Sequence, residues 1–359
     1  MLCIKNGLIH DAVSATPYVG DILVENGKIT QILPANSCKD AETVIDATGL
    51  NVYPGLVDAH SHLGLDGYAI GFEGQDYNEM NDILTPQLRA IDGINPQDET
   101  LQLALEGGVT CVGTGPGSSN VLKPFGRRID DMIVKFPVAM KCAFGENPKR
   151  CYKDKNNYSR MSTASKLREM LFKAREYQAK LDAAAEDPSK KPAYDMKLEA
   201  LLPVLRREIP LKAHAHRADD IFTAIRIAKE FDVKLTIEHC TDGALIAEDL
   251  AKENYPVAVG PSFGHATKYE LKNKSFKTPG ILSKAGCQVS IITDAPVIPQ
   301  QYLSLCAGLA VKSGMDAFEA LKAITIHPAK HLRNADREGS IQLGKDGDFD
   351  ISEGNIKDS

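Results

Sequence analysis

The sequence lacks a long apolar run, a charged leader followed by an apolar core, and any C-x-x-C pair. The first absence excludes a membrane-spanning helix, and the second argues against a secretory signal peptide. Eight cysteines lie scattered along 359 residues, which is typical of reduced thiols in a cytoplasmic protein and not of a disulfide scaffold. The remaining composition, 43% hydrophobic and 25% charged, predicts an ordinary soluble globular protein.

The chain also has no excess of positive charge, because its net charge is −6. Nucleic acids and anionic membranes are bound by clustered positive surface, so neither partner is expected. Two common catalytic motifs are missing as well. The stretch 113–118 lacks the G-x-x-x-x-G-K spacing of a nucleotide loop, and no G-x-S-x-G elbow is present. We therefore expect chemistry on a small molecule, and leave open whether the chain forms a homo-oligomer.

Two kinds of secondary-structure pattern occur along the chain. Residues 1–53 read as short β-strands separated by tight turns, and Asn26-Gly27 is a strong two-residue hairpin signal. A similar β-strand pattern occurs again at 339–351, near the other end of the chain. We predict a small β-sandwich domain built from residues 1–53 plus 337–359, and a catalytic domain over residues 54–336.

The central region alternates apolar strands with helical stretches, which predicts an α/β fold with a parallel sheet covered by helices. A (β/α)8 barrel needs eight strands, and the pattern supplies seven. The eighth should lie between Ser118 and Pro137, where the chain is short and polar, so that either residues are missing or the third strand is degenerate. The expected strands are Gly55–Ala59, Val109–Gly113, Val138–Phe144, Leu211–Ala215, Lys234–Glu238, Val257–Val259 and Gln288–Thr293.

The triplet 60–62, His-Ser-His, closes the first of these strands. Side chains alternate along a strand, so the imidazoles of His60 and His62 point to the same side and can converge on one ion. At the carboxyl end of a barrel strand, that side faces the active-site mouth. An isolated H-x-H pair is weak support for a metal site, and ordinary histidines remain the alternative.

Metal-ligand residue types recur at the ends of later strands. His214 and His216 end one strand, His239 ends the next, and Asp294 ends the last. Imidazole nitrogen and carboxylate oxygen suit Zn²⁺ and its neighbours, and a catalytic site keeps a position open for water. Three further histidines lie in unrelated contexts and carry no predicted role: His10, His327 and His331.

Three motifs together resemble the metal-dependent amidohydrolase superfamily. They are V-I-D-A-T-G at 44–49, V-Y-P-G-L-V-D-A-H-S-H-L-G at 52–64, and G-S-I-x-x-G-K-D-G-D at 339–348. The resemblance covers the whole chain in the family's order, and is nearest to the branch of imidazolonepropionase and related cyclic-amide or dipeptide hydrolases. It implies a (β/α)8 barrel with a small β-sandwich built from both chain ends.

The resemblance also implies a ligand set. His60 and His62 would come from strand one, His214 from strand five, His239 from strand six and Asp294 from strand eight, with His216 beside His214 as a neighbouring or substrate group. A second metal needs a bridging ligand. Glu146, which ends strand four, is favoured, and Lys141 is the alternative if it is carboxylated. The cofactor is one or two divalent ions, Zn²⁺ first and Fe or Mn next.

These residues predict hydrolysis of a C–N bond in an amide, cyclic amide or peptide-like substrate. A bound metal lowers the pKa of water to about 7 and polarises the scissile carbonyl. Asp294 would carry the proton to the leaving nitrogen, while His239 or His216 stabilises the oxyanion. Arg150 and Arg217 are candidates for holding a substrate carboxylate, although solvated loop charge is the alternative. A deaminase of the same superfamily and a metal-free scaffold protein are the competing functions.

Overall fold

The computed structural model describes residues 1–39 and 41–355. Its strands are β1 (Leu2–Ile9), β2 (Tyr18–Glu25), β3 (Lys28–Pro34), β4 (Thr43–Asp46), β5 (Asn51–Pro54), β6 (Leu56–Ser61), β7 (Val109–Thr114), β8 (Ser118–Leu122), β9 (Ile133–Ala143), β10 (Leu211–Ala215), β11 (Leu235–His239), β12 (Val257–Val259), β13 (Val289–Ile291) and β14 (Phe349–Ser352). Its α-helices are α1 (Glu99–Glu106), α2 (Ile129–Met132), α3 (Glu146–Cys151), α4 (Arg160–Glu186), α5 (Met196–Glu199), α6 (Leu202–Leu205), α7 (Ala218–Phe231), α8 (Ala247–Glu253), α9 (Thr278–Ala285), α10 (Leu303–Lys312), α11 (Ala317–Ala323) and α12 (Ile326–His331).

The smaller sheet contains strands from both ends of the chain. Its order is β14-β5-β1-β2-β3, with β4 paired to β1. Asn26 and Gly27 join β2 to β3 with positive φ angles of 51° and 74°, the conformation that a tight hairpin turn requires. Strand β14 pairs antiparallel with β5 and so ties residues 349–352 to the N-terminal segment. A second layer of the sandwich and the domain limits remain predictions, and 356–359 lie outside the described residues.

The larger sheet forms a nearly closed barrel of eight strands in the order β13-β12-β11-β10-β9-β8-β7-β6. Its two end strands approach each other at the site of the predicted histidines. There the Asp294 amide donates to the His60 carbonyl at 3.2 Å, and the His62 amide donates to the Ala295 carbonyl at 2.8 Å. The α/β fold and the barrel are therefore confirmed.

Strand β8 is the member that the sequence pattern left unplaced. It occupies 118–122, and it pairs antiparallel with both β7 and β9. Only three residues, 115–117, separate β7 from β8. Parallel neighbours need a crossover of a dozen or more residues, so this short connection makes a hairpin. The expectation of eight parallel strands is corrected: β8 runs against the other seven.

The helices pack on the outside of the barrel by their apolar faces. In α7, the face of Ile221, Ala224, Ile225 and Ala228 is buried. The chain between residues 196 and 205 forms two short helices, and Pro203, in the first turn of α6, cannot donate to a preceding turn. All eight cysteines carry free thiols, as predicted. Within the described residues, no helix has the length and apolarity needed to cross a bilayer.

Candidate metal centre

Six predicted site residues converge at the carboxyl ends of the barrel strands. They form two groups, one of His60, His62 and Asp294 and one of His214, His216 and His239, and in each group the ligand atoms lie within 4.8 Å of one another. The ring centroids of His60 and His239 are 4.8 Å apart, so the groups are in contact. The arrangement can hold two metal ions side by side.

Backbone conformation directs two of these side chains into the barrel. His214 and His216 share a face by simple alternation along β10 and its end. His239 and Asp294 instead have positive φ angles of 73° and 53°. Residues with a Cβ atom adopt this left-handed conformation at a cost and mostly at functional sites. The strained backbone turns both side chains toward the centre.

The donor set is in the protonation state that binds metal. Burial lowers the pKa of His60 and His214 well below the usual range, and lowers the pKa of His216 and His239 to about 3. Burial raises the pKa of Asp294, but His239 and the other histidines beside it hold that pKa well below its usual value. The imidazoles of His60, His214, His216 and His239 are therefore neutral and the Asp294 carboxylate is ionised at neutral pH.

Two buried ligand atoms have no hydrogen-bond partner within the described chain, His239 Nε2 and Asp294 Oδ1. Such atoms are costly unless something satisfies them. His60 and His239 are also held by their other ring nitrogens, since His60 Nδ1 lies 2.8 Å from Glu238 Oε2 and His239 Nδ1 lies 2.8 Å from the Gly260 carbonyl. Metal-binding histidines are oriented in this way. The residues present thus fit a divalent metal.

The two candidates for a bridging ligand lie in different places. Lys141 on β9 points into the centre, with Nζ 2.9 Å from His60 Nε2, and burial followed by the charge of Lys212 lowers its pKa to about 8. Glu146 begins helix α3, where its amide donates to Glu270 Oε2 at 2.8 Å. The chain has already turned away from β9 at that point. The structure therefore brings Lys141, and not the favoured Glu146, to the histidines.

The two predicted substrate arginines lie outside this centre. The Arg217 guanidinium donates to Asp219 through Nε at 2.9 Å and through Nη2 at 2.8 Å, and Arg150 is exposed on α3. Within the described chain, no ion pair joins either arginine to the six side chains. Arg217 nevertheless lines a pocket of about 330 Å³ together with Asp242, Tyr269 and others.

Sequence reasoning missed two carboxylates that contact the centre. Glu270, which also lines that pocket, lies in the loop after β12, and its Oε1 is 3.7 Å from His216 Nε2 and 4.0 Å from His214 Nε2. Glu238 holds His60 on one oxygen and His331 Nε2 on the other, at 2.8 Å. Glu270 has no strand-end signal that could have identified it. Glu238 directly precedes His239, but its inward direction depends on the register of β11.

Comparison with known proteins decides the family. The model of the Amidohydrolase family matches residues 160–357, more than half of the chain. The chain belongs to this family. The amidohydrolase of Thermotoga maritima MSB8 has a solved structure that is 40% identical and superposes with a TM-score of 0.95, over 100% of this chain and 95% of that one. The metal-dependent amidohydrolase superfamily is thereby confirmed.

Two further relatives are more distant from this amidohydrolase. The Amidohydrolase tasK of Hapsidospora irregularis is 27% identical over 92% of this chain, which spans 37% of the length of tasK. A solved Xaa-Pro dipeptidase with bound methionine is 17% identical, with a TM-score of 0.62, over 99% of this chain and 94% of that one. The second likeness shows the fold alone.

Proposed function

We propose that this amidohydrolase cleaves an amide-type C–N bond of a small molecule at the two groups of ligands described above, with divalent metal ions, Zn²⁺ first, as cofactor. The observation that carries the proposal is the convergence of six ligand-type side chains in which two buried ligand atoms lack a partner within the described chain. A scaffold protein would gain nothing from such a set, because neutral imidazoles buried without partners destabilise a fold.

The ligands divide between two ions. His60, His62 and Asp294 would hold one, and His214 and His239 the other. His216 is assigned a different task, because its Nε2 faces Glu270 Oε1 at 3.7 Å. A carboxylate at that position favours the tautomer with a proton on Nε2, which donates and does not coordinate.

Lys141 would bridge the ions as a carbamate. Its neutral amine adds to CO₂ and releases a proton, so that an uncharged group becomes an anion with two ligand oxygens. A lowered pKa and the 2.9 Å distance from Nζ to His60 Nε2 support this assignment. Glu146 stays the alternative bridge.

The reaction then follows from the positions of the side chains. A divalent metal supplies a lower pKa for water and polarises a carbonyl. Asp294 lies between the two groups, 3.4 Å from His62 Nε2 in its own group and 4.0 Å from His239 Nδ1 in the other. Its ionised carboxylate accepts the proton of the attacking water and passes it to the leaving nitrogen. The Nε2 proton of His216 is placed to stabilise the oxyanion.

The substrate would enter through the pocket of about 330 Å³ that shares Glu270 with the centre. This pocket presents both signs of charge, since Arg217 and Lys272 line it together with Asp219 and Asp242. A mixed lining suits a polar peptide-like or cyclic-amide substrate better than a purely anionic one.

The test combines metal analysis with a substrate panel. Purified full-length protein should carry Zn, Fe or Mn by elemental analysis and should hydrolyse N-acyl amino acids, dipeptides or cyclic ureides. The Lys141→Met variant should lose about half of the bound metal. Ammonia release from heterocycles alone would identify a deaminase. Protein that binds no metal, and gains no activity when metal is added, would overturn the proposal in favour of a scaffold.

A further inference from the structure

A second pocket, of about 400 Å³, lies at the opposite end of the barrel. Its lining includes Pro210, Lys234 and Pro256, which immediately precede β10, β11 and β12. It therefore opens at the amino ends of these strands, whereas the metal centre lies at their carboxyl ends. Active sites of such barrels occupy the carboxyl ends, so this pocket is separate from the catalytic mouth.

The charge of this pocket is strongly positive. Arg207, Lys229, Lys234, Lys330 and Arg333 line it, against a single lining carboxylate, Asp232.

Two of the five cations are already paired, Arg207 with Asp232 and Lys229 with Glu253. Lys234, Lys330 and Arg333 form no ion pair within the described chain. Three cationic side chains thus surround one concave space without a counter-charge.

His331 provides a second, independent indication of a ligand. It lines the same pocket, is only 4% exposed, and ends helix α12. Its Nε2 lies 2.8 Å from Glu238 Oε1, so its Nδ1 faces away from that carboxylate. Nδ1 is buried and has no hydrogen-bond partner within the described chain. Leaving a buried polar atom unsatisfied is unfavourable, and a ligand in the pocket that pairs with it would recover that cost.

We infer that this pocket binds a small phosphate-bearing anion. A phosphate group carries a charge of about −1.5 to −2 at neutral pH, with three strong acceptor oxygens. The three oxygens match the three cations that line this pocket without an ion pair among the described residues. A protonated oxygen of the phosphate can donate a hydrogen bond to His331 Nδ1. The volume is within the range of sites for small ligands.

The pocket is joined to the metal centre by one carboxylate. Thr236 also lines the pocket, and its hydroxyl donates to Glu238 Oε1 at 2.8 Å. The other oxygen of Glu238 lies 2.8 Å from His60 Nδ1. An anion beside His331 is therefore separated from His60 by two hydrogen bonds that share Glu238. A ligand in this pocket can therefore influence the position of His60 through Glu238, inside the barrel.

Calorimetric titration of the full-length, metal-loaded protein with inorganic phosphate tests the site, with acetate at matched ionic strength as the comparison anion. In the Lys330→Met/Arg333→Met variant, phosphate affinity should fall at least tenfold. The Arg127→Met/Lys284→Met variant makes the same change of charge at exposed positions elsewhere and should bind as the wild type does. Acetate should bind at least tenfold more weakly than phosphate.

Phosphate that binds at the metal centre would bind equally to both variants. Its signal is thereby distinguished from phosphate binding in the pocket of Lys330 and Arg333. Equal affinity in the two variants, or equal binding of acetate and phosphate, would overturn the inference. If Lys330→Met/Arg333→Met does not fold, Lys234→Met on the opposite rim replaces it. The measurement needs no substrate, so its outcome is independent of the proposed hydrolase activity.

Discussion

Lys123 joins three parts of the molecule, and its removal should destabilise the fold measurably. It directly follows β8, whose reversed direction brings it to the end of the barrel where the small sheet attaches. Its Nζ lies 3.1 Å from Glu338, 2.8 Å from Asp346 and 2.6 Å from Asp348. These three carboxylates could be mistaken for a metal site, but the ammonium group already occupies their centre.

The cost of Lys123→Met depends on which carboxylates keep a partner. Asp346 retains Arg337, 2.7 Å away, and also Lys28. Glu338, whose side chain is 3% exposed, loses its ion-pair partner. Removing one partner of a buried pair costs about 3–5 kcal/mol. Burial and the charge of Asp348 raise the pKa of Glu338 to about 8, so this carboxyl can take up a proton, and Lys123 is 27% exposed. The cost is therefore expected near the lower figure. With an unfolding entropy of about 2.1 cal/mol/K per residue, a loss of about 3 kcal/mol lowers the melting temperature by roughly 4 °C.

Thermal unfolding followed by circular dichroism measures this shift. Lys173→Met is the matched control, because Lys173 pairs with Glu169 at 2.6 Å but both side chains are more than half exposed. Exposed pairs are worth about 0.5 kcal/mol or less, so the control should melt within about 1 °C of the wild type. Equal shifts in the two variants would refute the argument that burial makes the Lys123 pairs costly to break.

Three further predictions concern the site, the β7–β8 turn and pH. Asp294→Asn should lower kcat by about 10²–10⁴-fold, since a metal ligand and the proton carrier are lost together; an unchanged kcat would exclude both roles. Gly117→Ala should destabilise by about 1–3 kcal/mol in thermal melts, because φ is 59° and the new Cβ would lie 2.4 Å from the Leu88 carbonyl oxygen, whereas Gly264→Ala, at φ 83° in open space, should cost less. The pKa of His216 and His239 is about 3 in the fold and about 6.5 when unfolded, so the unfolded chain binds more protons between these values. The free energy of unfolding of metal-free protein should therefore fall as pH drops from about 6.5 to about 3; a urea midpoint equal at pH 7 and pH 5 would contradict this.

The sequence predicted the strand ends well because strand periodicity and residue type act together there. His214 lies on β10, His239 ends β11 and Asp294 follows β13, and in each case an apolar run ends in a ligand-type residue. The antiparallel direction of β8 was not predicted, because the short turn at 115–117 was read only as a loop after the second strand. Lys141 ranks second because it must be carboxylated before it can bridge two metal ions, whereas Glu146 needs no modification.

Residues that act through tertiary contact were the hardest to predict. His331 has no motif around it, and its contact with Glu238 exists only because α12 packs beneath the barrel. Glu270 reaches the histidines from a loop whose path no local pattern specifies. Both cases depend on distances between segments far apart in sequence, which periodicity does not encode.

The left-handed backbone at His239 and Asp294 has a consequence for how this protein can be improved. Each such residue costs of order 1–3 kcal/mol, which the rest of the fold must supply. Replacing either with glycine would relieve the backbone and remove a ligand at the same time. Selection for thermal stability alone would therefore favour changes that abolish chemistry at these two positions, so any engineering for heat tolerance should leave them fixed and seek its gains elsewhere.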